Sequence, residues 1–514
     1  MNKSMLQKPK KPFVLVILDG WGIRKDRRGN AVAQARLPNY KSFLRKYPHT
    51  ELKAAEEAVG LVKGAIGNSE VGHMNIGAGR IVYQELVRIN RSIADGSFFR
   101  NPVLLEAAKK VKKAGSALHL FGLLSDGKVH SEISHLFALL RFAKKQDIVN
   151  TWIHCILDGR DVAPKSAERY LLELQREMRR IGIGKIATVI GRYYAMDRDK
   201  RWERTEKAYN AMLGIGPRFK TALGALKGYY ARGITDEFVL PTVIGNFEGI
   251  KNDDVLVFFN FRSDRARQLT MAFINKRFGW FKRKLVKVHF VGMCEYDPKF
   301  HIPVICPPVI PKGILGELLS KAGLRQLRIA ESEKYAHVTY FFNNGIEKPF
   351  PNEDRIIIPS PKVATYDLAP EMRTKEITDA LLNELQEDIY DFAVVNFASP
   401  DMVGHTGKID AAIRALEVVD NQLGRIVQLV LEKKGVVIIT ADHGNCEEMI
   451  GKRRTSHTLA PVPFILIDGR VPVGLSRHRP VRLRKGLLGD VAPTILKLMG
   501  IKKPKEMTGK SLMV

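Results

Sequence analysis

The chain of 514 residues is long enough for more than one hydrophobic core, because a single core stops growing at roughly 250–300 residues. Its apolar fraction of 45% and charged fraction of 27% are those of a folded soluble protein and exclude long disordered tracts. Its 83 Lys and Arg against 54 Asp and Glu give a formal charge of +29, which would suit nucleic acid, an anionic lipid or an anionic substrate.

Short apolar runs recur along the chain between longer helical patterns. Because these runs are continuously apolar rather than alternating, they predict strands that are covered on both faces, as in the parallel sheets of an α/β protein. The predicted strands are Phe13–Leu18, Leu118–Gly122, Trp152–Leu157, Ile186–Ile190, Val255–Phe259, Val288–Val291, Phe392–Phe397, Val436–Thr440 and Phe464–Ile467. The predicted helices are Ala167–Arg179, Glu203–Leu213, Thr378–Glu387 and Ala411–Glu432.

The cysteines and the apolar runs bear on the cellular compartment. The four cysteines are scattered without a Cys-x-x-Cys pair, which predicts neither a disulfide framework nor a zinc knuckle and fits a reducing environment. Phe13–Leu18 is too short for the apolar part of a signal peptide, and no run approaches the ~20 apolar residues that span a bilayer. We therefore expect a cytoplasmic protein with no membrane partner.

Polar residues follow three of the predicted strands. Asp19 comes directly after the first strand, the segment Asn396–Asp401 ends another, and Asp442 with His443 follows a third. Open α/β sheets bind ligands outside the carboxyl ends of their strands. These three strand ends are therefore candidates for a single site.

Carboxylates and imidazoles accumulate at these strand ends. Taken singly, an Asp after a strand is more often a turn residue, and a lone His is more often a satisfied polar residue than a ligand. Together with a serine hydroxyl, these oxygen and imidazole donors favour Mn, Zn or Mg over copper or iron–sulfur, and two ions could share them as a clamp for phosphoryl displacement. The Asp and His candidates are Asp19, Asp401, His405, Asp442, His443 and His457.

The segment Ala65–Arg80 is rich in glycine around a single serine. Asn68 and Ser69 have capping character for a helix that starts near Glu70, and the N-terminal amides of such a helix would attract phosphate. By itself this pattern is more often a structural helix cap than a nucleophile.

The stretch Gly67–Arg80 resembles the nucleophile segment of the 2,3-bisphosphoglycerate-independent phosphoglycerate mutase family. Further segments resemble the other motifs of that family and follow in the same order, so that the resemblance covers nearly the whole chain. These segments are Leu18–Gly22, Leu157–Asp161, Gly191–Asp199, Asn260–Arg267, Ala330–His337, Asp401–His405 and Ala441–Asn445.

The resemblance implies an α/β fold in two domains. An alkaline-phosphatase-like metal domain would be built from residues 1–83 and 309–514, and an inserted α/β transferase domain from residues 84–308 would bind substrate. The chain would cross between the domains near Val82–Leu86 and Pro303–Gly313, the second of which is rich in proline.

The resemblance also implies a ligand set for two divalent ions, with manganese preferred. One ion would be held by Asp401, His405 and His457, and the other by Asp19, Ser69, Asp442 and His443. Substrate would be held by His130, Arg160, Asp161, Arg192, Arg198, Arg262, Arg265 and Lys334. Guanidinium groups suit such a substrate, because they match both its carboxylate and its phosphate with paired hydrogen bonds.

The implied activity is the interconversion of 3-phosphoglycerate and 2-phosphoglycerate in glycolysis and gluconeogenesis, by a monomer whose partner is this small-molecule substrate. Ser69 would take the phosphoryl group, Asp161 would act as general acid and base, and Lys334 would offset developing negative charge. A related metal-dependent phosphomonoesterase or phosphopentomutase is the alternative, which Asp158–Asp161 and Asn260–Arg265 argue against, because these segments resemble the mutase.

Two features depart from the family pattern. Lys128 and Glu132 stand where the family usually has Gly and His, although His130 between them remains. The basic balance also leaves open an anion-binding or nucleic-acid-binding protein with an inactive fold. The chain has two basic clusters, Lys276–Lys287 and Arg477–Lys485. Neither matches a recognised nucleic-acid module, and we interpret both as solvated faces.

Overall fold

The computed structural model describes residues 12–470 and 481–514. The described residues up to Gln84 and from Ile310 onward form one compact unit, and Glu85–Val309 form a second. Each joint lies one residue later than the boundary expected from the sequence. Residues 477–480 of the basic cluster Arg477–Lys485 lie outside the described residues.

The elements alternate between strands and helices along most of the chain, which confirms the α/β class. The strands are β1 Phe13–Leu18, β2 His49–Lys53, β3 Leu118–Leu123, β4 Thr151–Leu157, β5 Lys185–Gly191, β6 Arg218–Phe219, β7 Thr242–Ile244, β8 Val255–Phe258, β9 His289–Gly292, β10 Gln326–Glu331, β11 Glu353–Ile358, β12 Phe392–Phe397, β13 Val436–Thr440, β14 Val462–Asp468 and β15 Gly486–Leu487. The helices are α1 Ala31–Gln34, α2 Pro38–Lys46, α3 Ser69–Ala78, α4 Glu85–Ala94, α5 Pro102–Ala114, α6 Ile133–Lys145, α7 Ala167–Ile181, α8 Arg192–Ala195, α9 Trp202–Met212, α10 Ala222–Ala231, α11 Arg267–Ile274, α12 Leu315–Lys321, α13 Thr374–Gln386, α14 Ser399–Gly404, α15 Ile409–Glu432 and α16 Val491–Leu498.

The sheet of the first unit has the strand order β11-β10-β12-β1-β13-β14-β2-β15. β1 is parallel to β12 on one side and to β13 on the other, with Leu18 opposite Phe397 and Ile17 opposite Thr440. All six residues of β1 are apolar and buried, as a central strand requires. The carboxyl ends of these three strands therefore lie side by side at one edge of the sheet.

One strand of this sheet runs against the predicted direction. The sequence predicts Phe464–Ile467 as a strand of a parallel sheet, but β14 is antiparallel to both β13 and β2. A parallel connection needs a crossover, usually a helix. The connection between β13 and β14 contains only the short 3₁₀ turn Gly451–Arg453 in addition to loops, so the chain returns antiparallel.

The sheet of the second unit has the strand order β6-β7-β5-β4-β3-β8-β9. Its five neighbouring strands β5, β4, β3, β8 and β9 are all parallel. Along β3, Leu118 and Leu120 belong to one hydrophobic cluster, whereas Phe121 and Leu123 belong to another. This sheet is therefore buried on both faces, and its carboxyl edge is where polar loops emerge.

The cysteines and the apolar helices bear on the expectations about disulfides and membranes. All four cysteines are buried free thiols. Among residues 12–470 and 481–514, no helix combines the length and apolarity that crossing a bilayer would take.

Candidate active site

Ser69 is the first residue of α3, and the side chain of Asn68 caps this helix by accepting a hydrogen bond from the Val71 backbone N–H at 2.9 Å. The helix starts one residue before the predicted Glu70, because Asn68 alone supplies the cap. The first backbone N–H groups of a helix have no partner within it and attract anions. The nearly buried Ser69 hydroxyl therefore lies where a phosphoryl group would meet the positive end of the helix dipole.

One group of ligand candidates consists of Asp401, His405 and His457. Asp401 Oδ1 lies 3.3 Å from His405 Nε2 and 3.2 Å from His457 Nε2, and the two Nε2 atoms are 3.0 Å apart. Atoms bound ~2.0–2.2 Å from one divalent ion are themselves roughly 2.8–3.6 Å apart. The three atoms therefore have the spacing of a single coordination shell.

The second group consists of Asp19, Ser69, Asp442 and His443. His443 Nε2 lies 2.9 Å from Ser69 Oγ, 3.3 Å from Asp19 Oδ1 and 3.6 Å from Asp442 Oδ2. Asp442 Oδ2 is buried and accepts no hydrogen bond from any described residue. The imidazole nitrogens His73 Nδ1 and His443 Nε2 lie 3.2 and 3.6 Å from this oxygen without making a hydrogen bond to it, and a divalent ion would satisfy it, so this group also fits such an ion.

The three histidines are oriented in the same way, with Nε2 toward the ligand groups and Nδ1 toward a backbone carbonyl. Such a contact fixes the tautomer that leaves Nε2 free to bind a metal, which is the usual arrangement of metal-ligating histidines. The carbonyl partners are Thr455 for His405, Gly67 for His457 and Gly444 for His443, at 2.9, 2.9 and 3.2 Å.

The carboxylates around His443 stabilise the positively charged form of its imidazole. Burial alone lowers the pKa of His443, but Asp442, Asp19 and Asp401 raise it to about 10. Burial raises the pKa of Asp19, but the charge of Lys334 and the hydrogen bond with His443 bring it below its ordinary value. A divalent ion bound at His443 would have to displace this proton, so its affinity would decrease as the pH falls.

Lys334 is the substrate-binding candidate that belongs to the first unit. It follows β10, and its backbone N–H donates to the Glu331 carbonyl at 2.9 Å. Its ammonium donates to Ser69 Oγ at 2.7 Å, in the middle of the ligand groups. The other substrate-binding candidates belong to the second unit.

In the second unit, Arg192 follows β5 and is buried between two carboxylates. Its Nη1 atom donates to Asp158 Oδ1 at 2.6 Å and to Asp161 Oδ2 at 2.7 Å. Burial alone lowers the pKa of Arg192, but these two carboxylates raise it above its ordinary value. Asp158 also accepts from the Ser125 hydroxyl at 2.6 Å and from the Asp161 backbone N–H at 3.0 Å. The Asp161 carboxylate is thereby held in one position while it stays partly exposed.

Asp264 gathers three more substrate-binding candidates. Its Oδ2 accepts from Arg198 Nη1 at 2.9 Å, and its Oδ1 lies 3.1 Å from Arg262 Nε and 3.7 Å from His130 Nδ1. Burial and the charge of Arg192 lower the pKa of His130 to about 4, so this imidazole is neutral at pH 7. Arg198 and Arg262 are about half exposed and keep donors free for a ligand.

The remaining arginine candidates complete a positive cluster. Burial and then the charges of Arg198, Arg192 and Arg160 lower the pKa of Arg265. Guanidinium groups that repel one another in this way stabilise a bound anion. The candidates of the second unit therefore form a positively charged cluster at the carboxyl edge of its sheet, which suits an anionic ligand.

Two family models match the chain. "BPG-independent PGAM N-terminus" matches residues 89–298, and "Type I phosphodiesterase / nucleotide pyrophosphatase" matches residues 320–452. A 2,3-bisphosphoglycerate-independent phosphoglycerate mutase of Moorella thermoacetica is 54% identical over 98% of both chains. The chain belongs to the 2,3-bisphosphoglycerate-independent phosphoglycerate mutase family.

A second family enzyme and a solved structure of a phosphoglycerate mutase also match the chain. A family enzyme of Clostridium botulinum is 53% identical over 98% of this chain and 99% of its own. The crystal structure of Leishmania mexicana phosphoglycerate mutase at low cobalt concentration is 30% identical, with a TM-score of 0.63 over 99% of this chain and 98% of that one. The mutase fold therefore extends over nearly the whole chain.

Two asparagines of the mutase site orient ligand candidates, although the sequence did not mark them as site residues. Asn445 Nδ2 donates to Asp401 Oδ1 at 2.9 Å, and Asn396 Nδ2 donates to Asp19 Oδ2 at 2.8 Å. Both asparagines are fully buried. In the sequence, Asn396 only opens the candidate strand end Asn396–Asp401, and Asn445 only closes the resembling segment Ala441–Asn445.

His73 is a further residue that sequence reasoning missed. It lies one turn after Ser69 on α3 and is fully buried, with Nδ1 2.8 Å from the Ser69 carbonyl oxygen and 3.2 Å from Asp442 Oδ2. Its Nε2 atom lies 3.1 Å from Asn396 Nδ2. The spacing of four residues from Ser69 on one helix was the available signal.

Lys128 and Glu132, the two residues of one loop that depart from the mutase pattern, contact each other. Lys128 has a φ of 60°, a left-handed conformation that glycine adopts without strain. Its Nζ atom lies 4.0 Å from Oε2 of the buried Glu132. Burial raises the pKa of Glu132, and Lys128 partly opposes that shift. His130 between them still faces Asp264, so both departures leave this substrate-binding candidate in its group.

Proposed function

We propose that this chain interconverts 3-phosphoglycerate and 2-phosphoglycerate without 2,3-bisphosphoglycerate, through a phosphoserine at Ser69. The observation that carries the proposal is the position of Ser69 Oγ, 2.9 Å from His443 Nε2 and 2.7 Å from Lys334 Nζ at a helix N-terminus. A hydroxyl surrounded by ligand and cationic groups is arranged to attack phosphorus rather than to cap a helix.

Two divalent cations, with Mn²⁺ expected, complete the proposed site. Supporting this, two groups of described residues converge as candidate ligands, Asp401 with His443 and His457, and Asp19 with Asp442 and His443. His405 Nε2 lies 3.3 Å from Asp401 Oδ1 beside the first group, and the structure of the Leishmania relative was determined at low cobalt concentration. When bound, such ions would favour the ionised form of the Ser69 hydroxyl and stabilise negative charge on the phosphoryl oxygens. The ligands would be Asp401, His405 and His457 for one ion, and Asp19, Ser69, Asp442 and His443 for the other.

The two transfer steps use the chain's own acid, base and nucleophile. Ser69 Oγ, ionised after its proton has left to solvent, forms a bond to phosphorus while the bond from phosphorus to the 3-oxygen of the substrate breaks. Asp161, which enters this step protonated, gives its proton to that oxygen. Asp161 then takes the proton of the 2-hydroxyl, whose oxygen attacks phosphorus as the bond to Ser69 breaks. Lys334 and the α3 amides offset the negative charge in both steps.

Glycerate must stay bound between these steps. The carboxylate and the phosphate of phosphoglycerate are both ligands for guanidinium forks, which would be supplied by Arg192, Arg198, Arg262 and Arg265 together with Arg160 and His130. The chain would act in glycolysis and gluconeogenesis, as a cytoplasmic monomer.

The decisive assay measures free phosphate and 2-phosphoglycerate formed from 3-phosphoglycerate, with Mn²⁺ and without 2,3-bisphosphoglycerate. We expect 2-phosphoglycerate to dominate, and chelator treatment to abolish its formation until metal is restored. Replacing Arg262 by Ala should raise the share of free phosphate, because glycerate then leaves before the second transfer. Mainly free phosphate from the unmodified protein would instead identify a phosphomonoesterase, and full activity after metal removal would contradict the proposed ions.

A further inference from the structure

Glu447 is a fully buried carboxylate whose two oxygens accept hydrogen bonds from its own loop after β13, from the loop after β1 and from the segment before β14. Its Oε2 accepts from the Gly22 backbone N–H at 3.0 Å and from the Asn445 backbone N–H at 2.9 Å, while its Oε1 accepts from the Thr458 hydroxyl. The backbone N–H of Ala460 donates to that hydroxyl oxygen at 3.2 Å, which leaves the Thr458 proton for Glu447. All three partners donate, so the network fits an ionised Glu447.

Each of the three loops carries metal-ligand candidates. Gly22 lies three residues after Asp19, and Thr458 follows His457 directly. Asn445 lies two residues after His443, and its side chain donates to Asp401 Oδ1 at 2.9 Å. Glu447 itself lies in the loop that follows β13, so its carboxylate ties that loop to the loop that follows β1 and to the segment that leads into β14.

The space around Glu447 is closed by glycines. A Cβ atom added to Gly22 or to Gly444 would collide with the Glu447 carboxyl group. Both loops therefore approach the carboxylate more closely than any other residue type allows, which restricts how the three loops can move relative to one another.

We infer that Glu447 is a positioning residue that holds the loops of both metal-ligand groups in register and thereby sets the affinity of the site for divalent cations. The inference rests on the proposed function, because it takes the two groups to be metal ligands. Glu447 contacts neither Ser69 nor the substrate-binding candidates among its described hydrogen bonds, so its effect passes through the ligand loops.

The test compares Glu447→Gln with a matched variant in the same unit. Asp420 is also a buried carboxylate that accepts two backbone N–H groups, from Asn39 at 3.1 Å and from Tyr40 at 2.7 Å, but it holds α2 against α15 rather than the ligand loops. Both Glu447→Gln and Asp420→Asn remove one buried charge, so both should lower the stability of the metal-free protein. Only Glu447→Gln should change metal binding.

Mn²⁺ binding is measured by titration calorimetry on the full-length chain, and unfolding of the metal-free protein by urea denaturation. We expect Glu447→Gln to weaken Mn²⁺ binding about 10- to 100-fold, as is typical when a partner behind metal ligands is altered. Asp420→Asn should bind Mn²⁺ like the unmodified protein. Excess Mn²⁺ should restore kcat in Glu447→Gln, which a general loss of folding would not allow.

A second pair of variants covers the case in which Glu447→Gln does not fold. Thr458→Val removes the hydroxyl that donates to Glu447 and should weaken Mn²⁺ binding, whereas Thr458→Ser keeps the hydroxyl and should not. Unchanged affinity in Glu447→Gln or Thr458→Val, or an equal loss in Asp420→Asn, overturns the inference while leaving the proposed function intact. Failure of the unmodified chain to bind Mn²⁺ would overturn the proposed metal site and this inference with it.

Discussion

The Nζ atom of Lys334 lies 2.7 Å from the Oγ atom of Ser69. The same ammonium donates to Asp19 at 2.7 Å and to Asp401 at 2.6 Å, one carboxylate from each ligand group. Burial alone lowers the pKa of Lys334, but these carboxylates raise it above its ordinary value. A single charged lysine thus connects the nucleophile to both halves of the proposed metal site.

Replacing Lys334 by Met should slow phosphoryl transfer at least ~100-fold, because a preorganised donor to developing charge is lost. It also leaves buried carboxylates without their cation, so the free energy of unfolding of the metal-free protein should fall by about 3–5 kcal/mol. Rapid-quench kinetics and urea denaturation measure the two effects. Lys433→Met, which removes an exposed ion pair with Asp388 at 2.8 Å, is the control and should change neither.

Substitutions of the neighbouring residues Asn68 and Ser69 distinguish the role of helix cap from the role of nucleophile. Ser69→Ala should abolish transfer and leave no protein-bound phosphoryl group after acid quenching of a reaction with labelled 3-phosphoglycerate. Asn68→Ala should keep the label, because it removes only the cap, at a cost of about 1 kcal/mol in unfolding free energy. A labelled Ser69→Ala protein would show that another residue is the nucleophile.

Asp264 is expected to set the affinity for phosphoglycerate through the side chains that it holds. Asp264→Asn keeps the size of the side chain but removes the charge that faces Arg198 and Arg262. Loss of one charge-assisted hydrogen bond, about 1.5 kcal/mol, should raise KM roughly tenfold, with a smaller change in kcat. Asp199→Asn, next to the exposed Arg201, is the control in steady-state kinetics. An unchanged KM in Asp264→Asn would argue that the cluster does not hold substrate.

Glu331 should make the stability of the protein depend on pH. It is fully buried, and burial raises its pKa to about 7, although the Arg373 backbone N–H donates to it at 2.9 Å. The folded state then binds this proton more tightly than the unfolded state, so the free energy of unfolding should decrease as the pH rises from the ordinary glutamate value to about 7 and level off above it. Glu331→Gln should remove this part of the dependence and exceed the unmodified protein in stability at about pH 8. Urea denaturation across this pH range provides the measurement, and parallel profiles for both proteins would contradict the assignment.

The buried parallel strands were the most predictable part of the fold. β1, β12 and β13 have the predicted bounds, because each is a continuous apolar run that a central strand requires. β10 and β11 were missed, since both are interrupted by charged residues such as Arg328 and Arg355. Arg328 is nevertheless fully buried, with its guanidinium over the rings of Phe342 and Phe392, which are distant in sequence. The direction of β14 was also outside the reach of a local pattern.

The site, like the fold, has residues that the sequence predicted and residues that it did not. Candidate ligands were visible because carboxylates and imidazoles stand out at strand ends, and the structure brings them into two groups. The sequence did not reveal the residues that position other side chains, namely Glu447, Asp264 and Asn445. A residue that acts through its neighbours belongs to no recognisable spacing of ligand or catalytic residues. Such residues become visible only when distances between separate loops are known.

The central position of β1 has a consequence for biosynthesis. Phe13–Leu18 leaves the ribosome early, but the strands that flank it, β12 and β13, are made only after the whole of Glu85–Val309. Domains tend to fold as units during synthesis, so the second unit should be native before β12 and β13 are available to pair with β1. During that time an unpaired, wholly apolar strand is open to pairing with other chains, and a nascent chain released before Val436 would aggregate rather than lack activity alone.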